Sequence, residues 1–198
     1  MGLKPTYVKA AFEYAYDELK KQNVQNKVTL FYNDYDTYFS VDDELALISY
    51  INEGEEAKIC GGIGMQSHVD IKRPTLEEYG NALKAFINAG LEVQITELDI
   101  TINFDTDDTD GRTPTYAYKN EKETDADQAA FTKDFIKQIV DIQKNRDKTI
   151  SPKGITGITV WGISDQTSWR GSCKPLFFTR KSVRVKDETT GKLSLIHI

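Results

Sequence analysis

Three short stretches carry side chains that could do chemistry together. In Gln94-Ile-Thr-Glu97-Leu-Asp99, Glu97 and Asp99 are two residues apart, so in an extended strand they share one face. A carboxylate at the C-terminal end of a strand can be a nucleophile, a general base or a metal ligand. The plain alternative is a solvated strand-end acid. Gln66-Ser-His68 has the same spacing, and on a neighbouring parallel strand His68 would lie beside both acids. A lone histidine is more often structural than catalytic, but one flanked by two carboxylates can orient one of them and carry protons. The third stretch supplies indoles: Trp161 ends a β-rich run and Trp169 follows on a loop. One tryptophan is ordinarily core; two around an acidic rim suit stacking on the apolar faces of sugar rings.

The elements that must position these groups follow from hydrophobic period. Val8, Ala11, Phe12, Ala15, Tyr16 and Leu19 recur at helical spacing after Pro5, predicting a helix over 5–21. A β-rich run at 28–32 follows, then a second helix that Asp42 or Asp43 can cap and Gly54 closes. A short apolar strand over 59–65 leads to Gln66-Ser-His68. Thr75 with Glu78 forms a capping box for a third helix, stopped by Gly90. The run 91–100 is strand-like, and a long helix holds Phe131, Phe135, Ile139 and Ile142. The last strand covers 155–162. Strands alternating with helices predict parallel pairing through right-handed crossovers. Gly61, Gly62 and Gly64 lie inside a strand rather than between strand and helix, so they do not make a dinucleotide-binding turn. The polar residues cluster after the C-terminal ends of four successive strands, where a (β/α)8 barrel builds its active site. Such a barrel needs eight strands, and only four are found, so the expected fold is α/β and either something smaller or the second half of a barrel, a partial barrel that would leave two sheet edges open.

Composition narrows the function classes. The 198 residues carry 31 acidic against 25 basic side chains, a net charge of −6 that argues against nucleic acid as partner. No apolar run approaches the length of a transmembrane helix, and the first twenty residues lack the apolar centre of a signal peptide. Membrane association is not expected. Two histidines make a histidine-based metal site improbable, and no cofactor is called for. The acidic loop Asp105-Thr-Asp-Asp-Thr-Asp-Gly111 fails the EF-hand pattern, because aligning Gly111 to its glycine puts Thr106 first and Ala117 where the bidentate Glu belongs. Cys60, at the bottom of a strand, and Cys173, on a top-side loop, are expected too far apart for a disulfide.

Four segments carry a family resemblance: Val28-Thr-Leu-Phe-Tyr-Asn-Asp-Tyr35, Gly62-Ile-Gly-Met-Gln-Ser-His68, Ile95-Thr-Glu-Leu-Asp-Ile100, and Val160-Trp-Gly-Ile-Ser-Asp165 with Ser168-Trp-Arg170. Each alone is only moderately specific. In this order and spacing they resemble the fifth to eighth strands of glycoside hydrolase family 10, the (β/α)8 endo-1,4-β-xylanases, over roughly residues 3–180. The resemblance implies a retaining two-carboxylate mechanism in which Glu97 is the nucleophile, with His68 and Asp99 as the companions that orient it. It also implies that Gln66 contacts the sugar beside the scissile bond, that Trp161 and Trp169 are aromatic walls, and that Tyr35 lines the leaving-group side. The implied partner is xylan or a xylo-oligosaccharide, met by a monomeric, secreted parent enzyme. Where the family usually reads N-D-Y-N, this chain has Asp36, which leaves that residue's role open.

The larger departure is the family's W-D-V-x-N-E motif, which supplies the acid/base glutamate and does not occur in the 198 residues. Glu13 and Glu18 fall on the predicted first helix and cannot replace it. The chain is therefore expected to be a truncated C-terminal half, 1–180, with Met1 an internal methionine and no activity alone. An irregular tail is expected over 181–198, and Leu193-Ser-Leu-Ile-His-Ile198 resembles adaptor read-through, so that end is expected to be artefactual. Two readings from other classes stand beside this one. The first is a non-catalytic carbohydrate-binding half-barrel; the second is another carboxylate-bearing barrel enzyme or a metal-dependent hydrolase.

Overall fold

The computed structural model describes residues 5–102, 123–170, 173–178, 182–186 and 193–197. The chain runs α1 (Thr6–Lys21), β1 (Phe31–Asp34), α2 (Val41–Ile51), β2 (Gly62–Met65), β3 (His68–Asp70), α3 (Leu76–Asn88), β4 (Glu92–Thr101), α4 (Asp125–Asn145) and β5 (Ile155–Val160). The order β1-β2-β4-β5 makes one parallel sheet, with β3 continuing beyond β2 to pair with the far end of β4. This is the expected part-barrel, and β1 and β5 are its edge strands. β1, β2 and β5 are shorter than the runs that predict them, while β4 is as long as its run. β1 starts at Phe31 rather than Val28, and β2 at Gly62 rather than Ile59.

Helix boundaries follow local chemistry. The Thr75–Glu78 capping box forms as expected, and Thr124 with Asp127 makes a second one that starts α4. At α2 the N-cap is Ser40, not Asp42 or Asp43. Those acids and Glu44 fill the first turn, where the positive end of the helix dipole favours them. Gly90 follows α3 at a φ of +75°, a left-handed position that stops the helix.

Side chains alternate across the sheet. Ile63, Met65, Val93 and Ile95 face outward and pack with Leu83 and Phe86 of α3 and Phe135 and Ile139 of α4. Tyr79, Phe86 and Phe135 are fully buried, each stabilising the fold by about 2 kcal/mol. The opposite, concave face carries Phe31, Asn33, Gln94 and Thr96 beside Gly62 and Gly64. Lower on that face, Lys153 bonds Glu92 at 2.7 Å and the Thr29 hydroxyl at 2.9 Å.

Where the sequence predicts an irregular tail over 181–198, Ser182–Lys186 (β6) and Leu193–His197 (β7) pair antiparallel as a hairpin. Ser182-Val-Arg-Val-Lys186 alternates polar and apolar residues at the period of a strand, a signal the sequence reading passed over. The acidic loop 105–111 lies outside the described residues. Cys60 and Cys173 are both buried and are not bridged to each other.

One buried acid makes stability pH-dependent. Glu44 on α2 accepts from the Ser40 hydroxyl at 3.2 Å through one oxygen, while its other oxygen has no hydrogen-bond partner among the described residues. Burial, and then the nearby Asp34 carboxylate, push the Glu44 carboxyl from its ordinary 4.5 up to about 7. The folded chain keeps this proton to higher pH than the unfolded chain. Stability is therefore full below about pH 4.5 and falls as pH rises toward 7. Glu44→Gln is expected to match the parent near pH 4 and to exceed it by on the order of 2 kcal/mol at pH 8, read from urea unfolding at both pH values. An equal difference at the two pH values would contradict this assignment.

Candidate active site

The site is built at the C-terminal ends of β2, β4 and β5, and small departures from regular strand geometry aim its side chains. Ser67 stands between β2 and β3 at a φ of +64°, a left-handed conformation uncommon for a residue with a Cβ. Its hydroxyl lies 2.7 Å from the Tyr79 hydroxyl and 3.1 Å from the Met65 carbonyl oxygen, so buried Tyr79 on α3 holds the kink. The chain then re-enters the sheet as β3, with His68 in register with Asp99. The extended alternation from Gln66 to His68 expected from sequence is thus interrupted, and His68 reaches its place through the kink.

β4 carries a second departure. Ile95 pairs with Ile158 and Leu98 with Val160, so three steps on β4 match two on β5 and one extra residue bulges out. Thr96 and Glu97, adjacent in sequence, accordingly both address the Asn33 side chain. The Thr96 hydroxyl donates to Asn33 Oδ1 at 2.6 Å, and Asn33 Nδ2 donates to Glu97 Oε1 at 3.1 Å. The other Glu97 oxygen, Oε2, lies 3.3 Å from His68 Nε2.

Asp99 is the deepest member of the cluster, 1% exposed. Its Oδ2 accepts from Trp169 Nε1 at 2.9 Å and faces His68 Nδ1 at 3.0 Å, and Arg170 Nη1 lies 3.6 Å from Oδ1. The Trp169 indole donates to Asp99, and Arg170 adds only an ion pair at 3.6 Å, so with Asp99 as the acceptor His68 Nδ1 is the donor between them. His68 thus stands between a buried acid and a half-buried one.

The indoles stand around this core. The Trp169 ring centroid is 5.0 Å from that of His68 and Trp161's is 6.5 Å away, both edge-on. About half of each tryptophan remains exposed, which leaves ring surface for a ligand. The Arg170 guanidinium sits 4.4 Å from the Trp169 ring centroid. A backbone bond from Trp161 N–H to the Leu98 carbonyl at 2.9 Å fixes the end of β5 against β4 just past the bulge.

The structure therefore brings together Glu97, His68, Asp99, Trp161 and Trp169. Gln66 is half-buried at the end of β2, and its carbonyl accepts the Glu97 N–H at 3.0 Å, which sets its backbone beside the nucleophile candidate. Tyr35 is exposed on the loop after β1 and makes no side-chain hydrogen bond to the cluster among the described residues. Asp36 adopts a φ of +51° and accepts from the Tyr38 hydroxyl at 2.8 Å, a turn-forming role that suits an Asp or Asn. Sequence reasoning gave no role to Asn33 or Arg170. Asn33 follows the apolar part of its strand as a small polar residue and opens the Asn-Asp-Tyr-Asp run, two signals that could have marked it. Among the described residues no group of three or more His, Cys, Asp or Glu is placed to hold a metal ion.

The arrangement is a carboxylate bonded by Asn33 at one oxygen, with His68 Nε2 3.3 Å from the other and two half-exposed indoles beside it. The model of glycosyl hydrolase family 10 matches residues 1–188. The chain belongs to this family. It is 41% identical over 177 residues to endo-1,4-β-xylanase A of Butyrivibrio fibrisolvens, covering 89% of this chain and 36% of that protein. Among solved structures, a family 10 endoxylanase from a sugarcane soil metagenome superposes with a TM-score of 0.66 at 25% identity, over 89% of this chain and 50% of that one. An N-terminal endo-1,4-β-D-xylanase of Clostridium thermocellum, complexed with xylohexaose, gives a TM-score of 0.60 at 28% identity over 88% of this chain and 30% of that one. The chain spans less than half the length of the curated relatives it matches. The fold is thus part of a family 10 (β/α)8 barrel.

Asp99 makes the cluster's stability measurable. Asp99→Ala strands the His68 Nδ1 proton and the Trp169 indole N–H, and is expected to cost about 3 kcal/mol in urea unfolding. The near-ultraviolet circular dichroism of Trp169 should weaken in the same variant. A loss under about 1 kcal/mol with an unchanged aromatic signal would show that Asp99 does not hold the cluster.

Proposed function

We propose that this chain carries the nucleophile side of a retaining endo-1,4-β-xylanase site. Glu97 attacks the anomeric carbon of a xylose unit, the bond to the leaving sugar's oxygen breaks, and a glycosyl ester forms on Glu97. Water then hydrolyses that ester and regenerates the carboxylate. The observation that carries this reading is the setting of Glu97, bonded by Asn33 Nδ2 at one oxygen and flanked by His68 Nε2 at 3.3 Å from the other. A nucleophile must present one lone pair along a fixed line, and neighbours at both oxygens restrict rotation away from it. His68 and Asp99 orient Glu97 and hold a proton near it. Trp161 and Trp169 form walls against which a sugar face can stack. Gln66 contacts the sugar next to the scissile bond, and Tyr35 lines the leaving-group side.

The xylanase relatives and the xylohexaose complex of the Clostridium enzyme support xylan as the substrate class. A polymer of that kind is met outside the cell, so the parent enzyme is proposed to be secreted. Protonation of the leaving oxygen requires a second carboxyl ~5–5.5 Å from the nucleophile. The W-D-V-x-N-E motif that supplies it in the family does not occur in these 198 residues. Alone, the chain is proposed to bind sugar without turning it over. This is also the point at which a purely carbohydrate-binding role gains support.

The test joins the chain to the first four βα units of a family 10 barrel. The joined protein is expected to hydrolyse xylan, and Glu97→Ala to lower turnover more than about a thousandfold. A mechanism-based inactivator derived from xylobiose is expected to label Glu97. Hydrolysis by the unjoined chain would overturn its dependence on a second half. Full activity of Glu97→Ala would overturn the nucleophile assignment.

A further inference from the structure

Asn33 approaches Glu97 from two strands away. In the sheet, β2 lies between β1 and β4, and Asn33 is in register with Gly64 of β2. A Cβ on Gly64 would sit 2.5 Å from Asn33 Oδ1 and 3.0 Å from the Thr96 methyl. The Asn33 amide therefore crosses over Gly64 through space that only glycine leaves open. At the far side it meets the bulge of β4, which presents Thr96 and Glu97 side by side.

An amide has one end that accepts and one that donates. An ionised Glu97 only accepts, so Nδ2 must face it, and Oδ1 is then turned toward β4 in need of a donor. The Thr96 hydroxyl, 2.6 Å away, is that donor. The geometry points to Thr96 as a positioning residue for Glu97, acting through the Asn33 amide, with Gly64 supplying the passage. The chain of bonds runs from Thr96 Oγ1–H to Asn33 Oδ1 and from Asn33 Nδ2–H to Glu97 Oε1, so each bond polarises the next. Valine at 96 would keep the shape and remove the donor. Asn33 Oδ1 would then lack a partner, and its amide plane would be free to turn away from Glu97.

The groups facing Glu97 from its surroundings are His68 on β3, with Asp99 on β4 and Arg170 on the loop after β5 behind it. None of them touches Thr96 by hydrogen bond, so the effect of Thr96 is separable from theirs. The inference rests on the reading of Glu97 as nucleophile only for its functional meaning; the bond chain stands on the coordinates.

The experiment follows the Asn33 side-chain amide in the isotope-labelled full chain by NMR. In the parent, the Nδ2 proton facing Glu97 is expected to exchange slowly with solvent and to change frequency as Glu97 ionises. Thr96→Val is expected to speed that exchange about tenfold, the loss of one ordinary hydrogen bond, and to abolish the response to ionisation. Thr96→Ser restores the hydroxyl and is expected to stay within about twofold of the parent. Gly64→Ala, which blocks the passage, is expected to act like Thr96→Val and serves as the test should the valine variant not fold. Unchanged exchange in Thr96→Val or Gly64→Ala, with the backbone spectrum intact, would overturn the inference; so would a serine variant as fast as the valine one. No substrate is involved, so an inactivator labelling another carboxylate would refute Glu97 as nucleophile while leaving this result standing. Unchanged exchange together with labelled Glu97 would refute the role of Thr96 alone.

Discussion

A carboxylate buried away from water must be surrounded by donors or it destabilises the fold, and Asp99 is such a group. Its neighbours are the residues that surround Glu97. The His68 imidazole and the Trp169 indole bond one oxygen and the Arg170 guanidinium pairs with the other at 3.6 Å, so one buried charge sets the angle of the histidine that faces Glu97 and of an indole together. The exposed face of Trp169 and the His68 side of Glu97 are thereby fixed to one point. Moving either without the other would leave a buried polar group without a partner.

That arrangement needs backbone irregularities that regular strands cannot supply. The left-handed Ser67 turns the chain so that His68 re-enters the sheet opposite Asp99, and the Tyr79 hydroxyl on α3 braces it from behind. The bulge at Thr96 and Glu97 puts two consecutive side chains on the same neighbour. Gly64 lets a residue on β1 reach β4 across β2. Each device is local, but each works only because helices α3 and α4 clamp the outer face of the sheet with a continuous apolar core.

The two faces of the sheet answer different demands. Outward, Ile63, Met65, Val93 and Ile95 bury against the helices and provide the rigidity. Inward, Asn33, Gln94, Thr96, Glu92 and Lys153 form a polar lining linked by hydrogen bonds. Gln94 and Glu92 both bond the Thr156 hydroxyl of β5, so the lining ties neighbouring strands together below the reactive rim.

The sequence by itself determined the rhythm of helices and strands, their parallel order, the Thr75 capping box and the group of residues at the strand ends. Those depend on local period and on chemistry within a few residues, which any stretch of chain carries with it. It also placed Glu97, His68, Asp99 and the two tryptophans on one rim, partly through family motifs. It misjudged the tail, where a hairpin forms, and the N-cap of α2, where several polar residues compete within three positions. Only the tertiary structure decided that Asn33 and Arg170 belong to the site, that Ser67 breaks the alternation to bring in His68, and that Thr96 turns toward Asn33. These are contacts between residues from two to about seventy positions apart, set by a bulge, a kink and a missing Cβ. No periodicity records such features, because they exist only once neighbouring strands lie side by side.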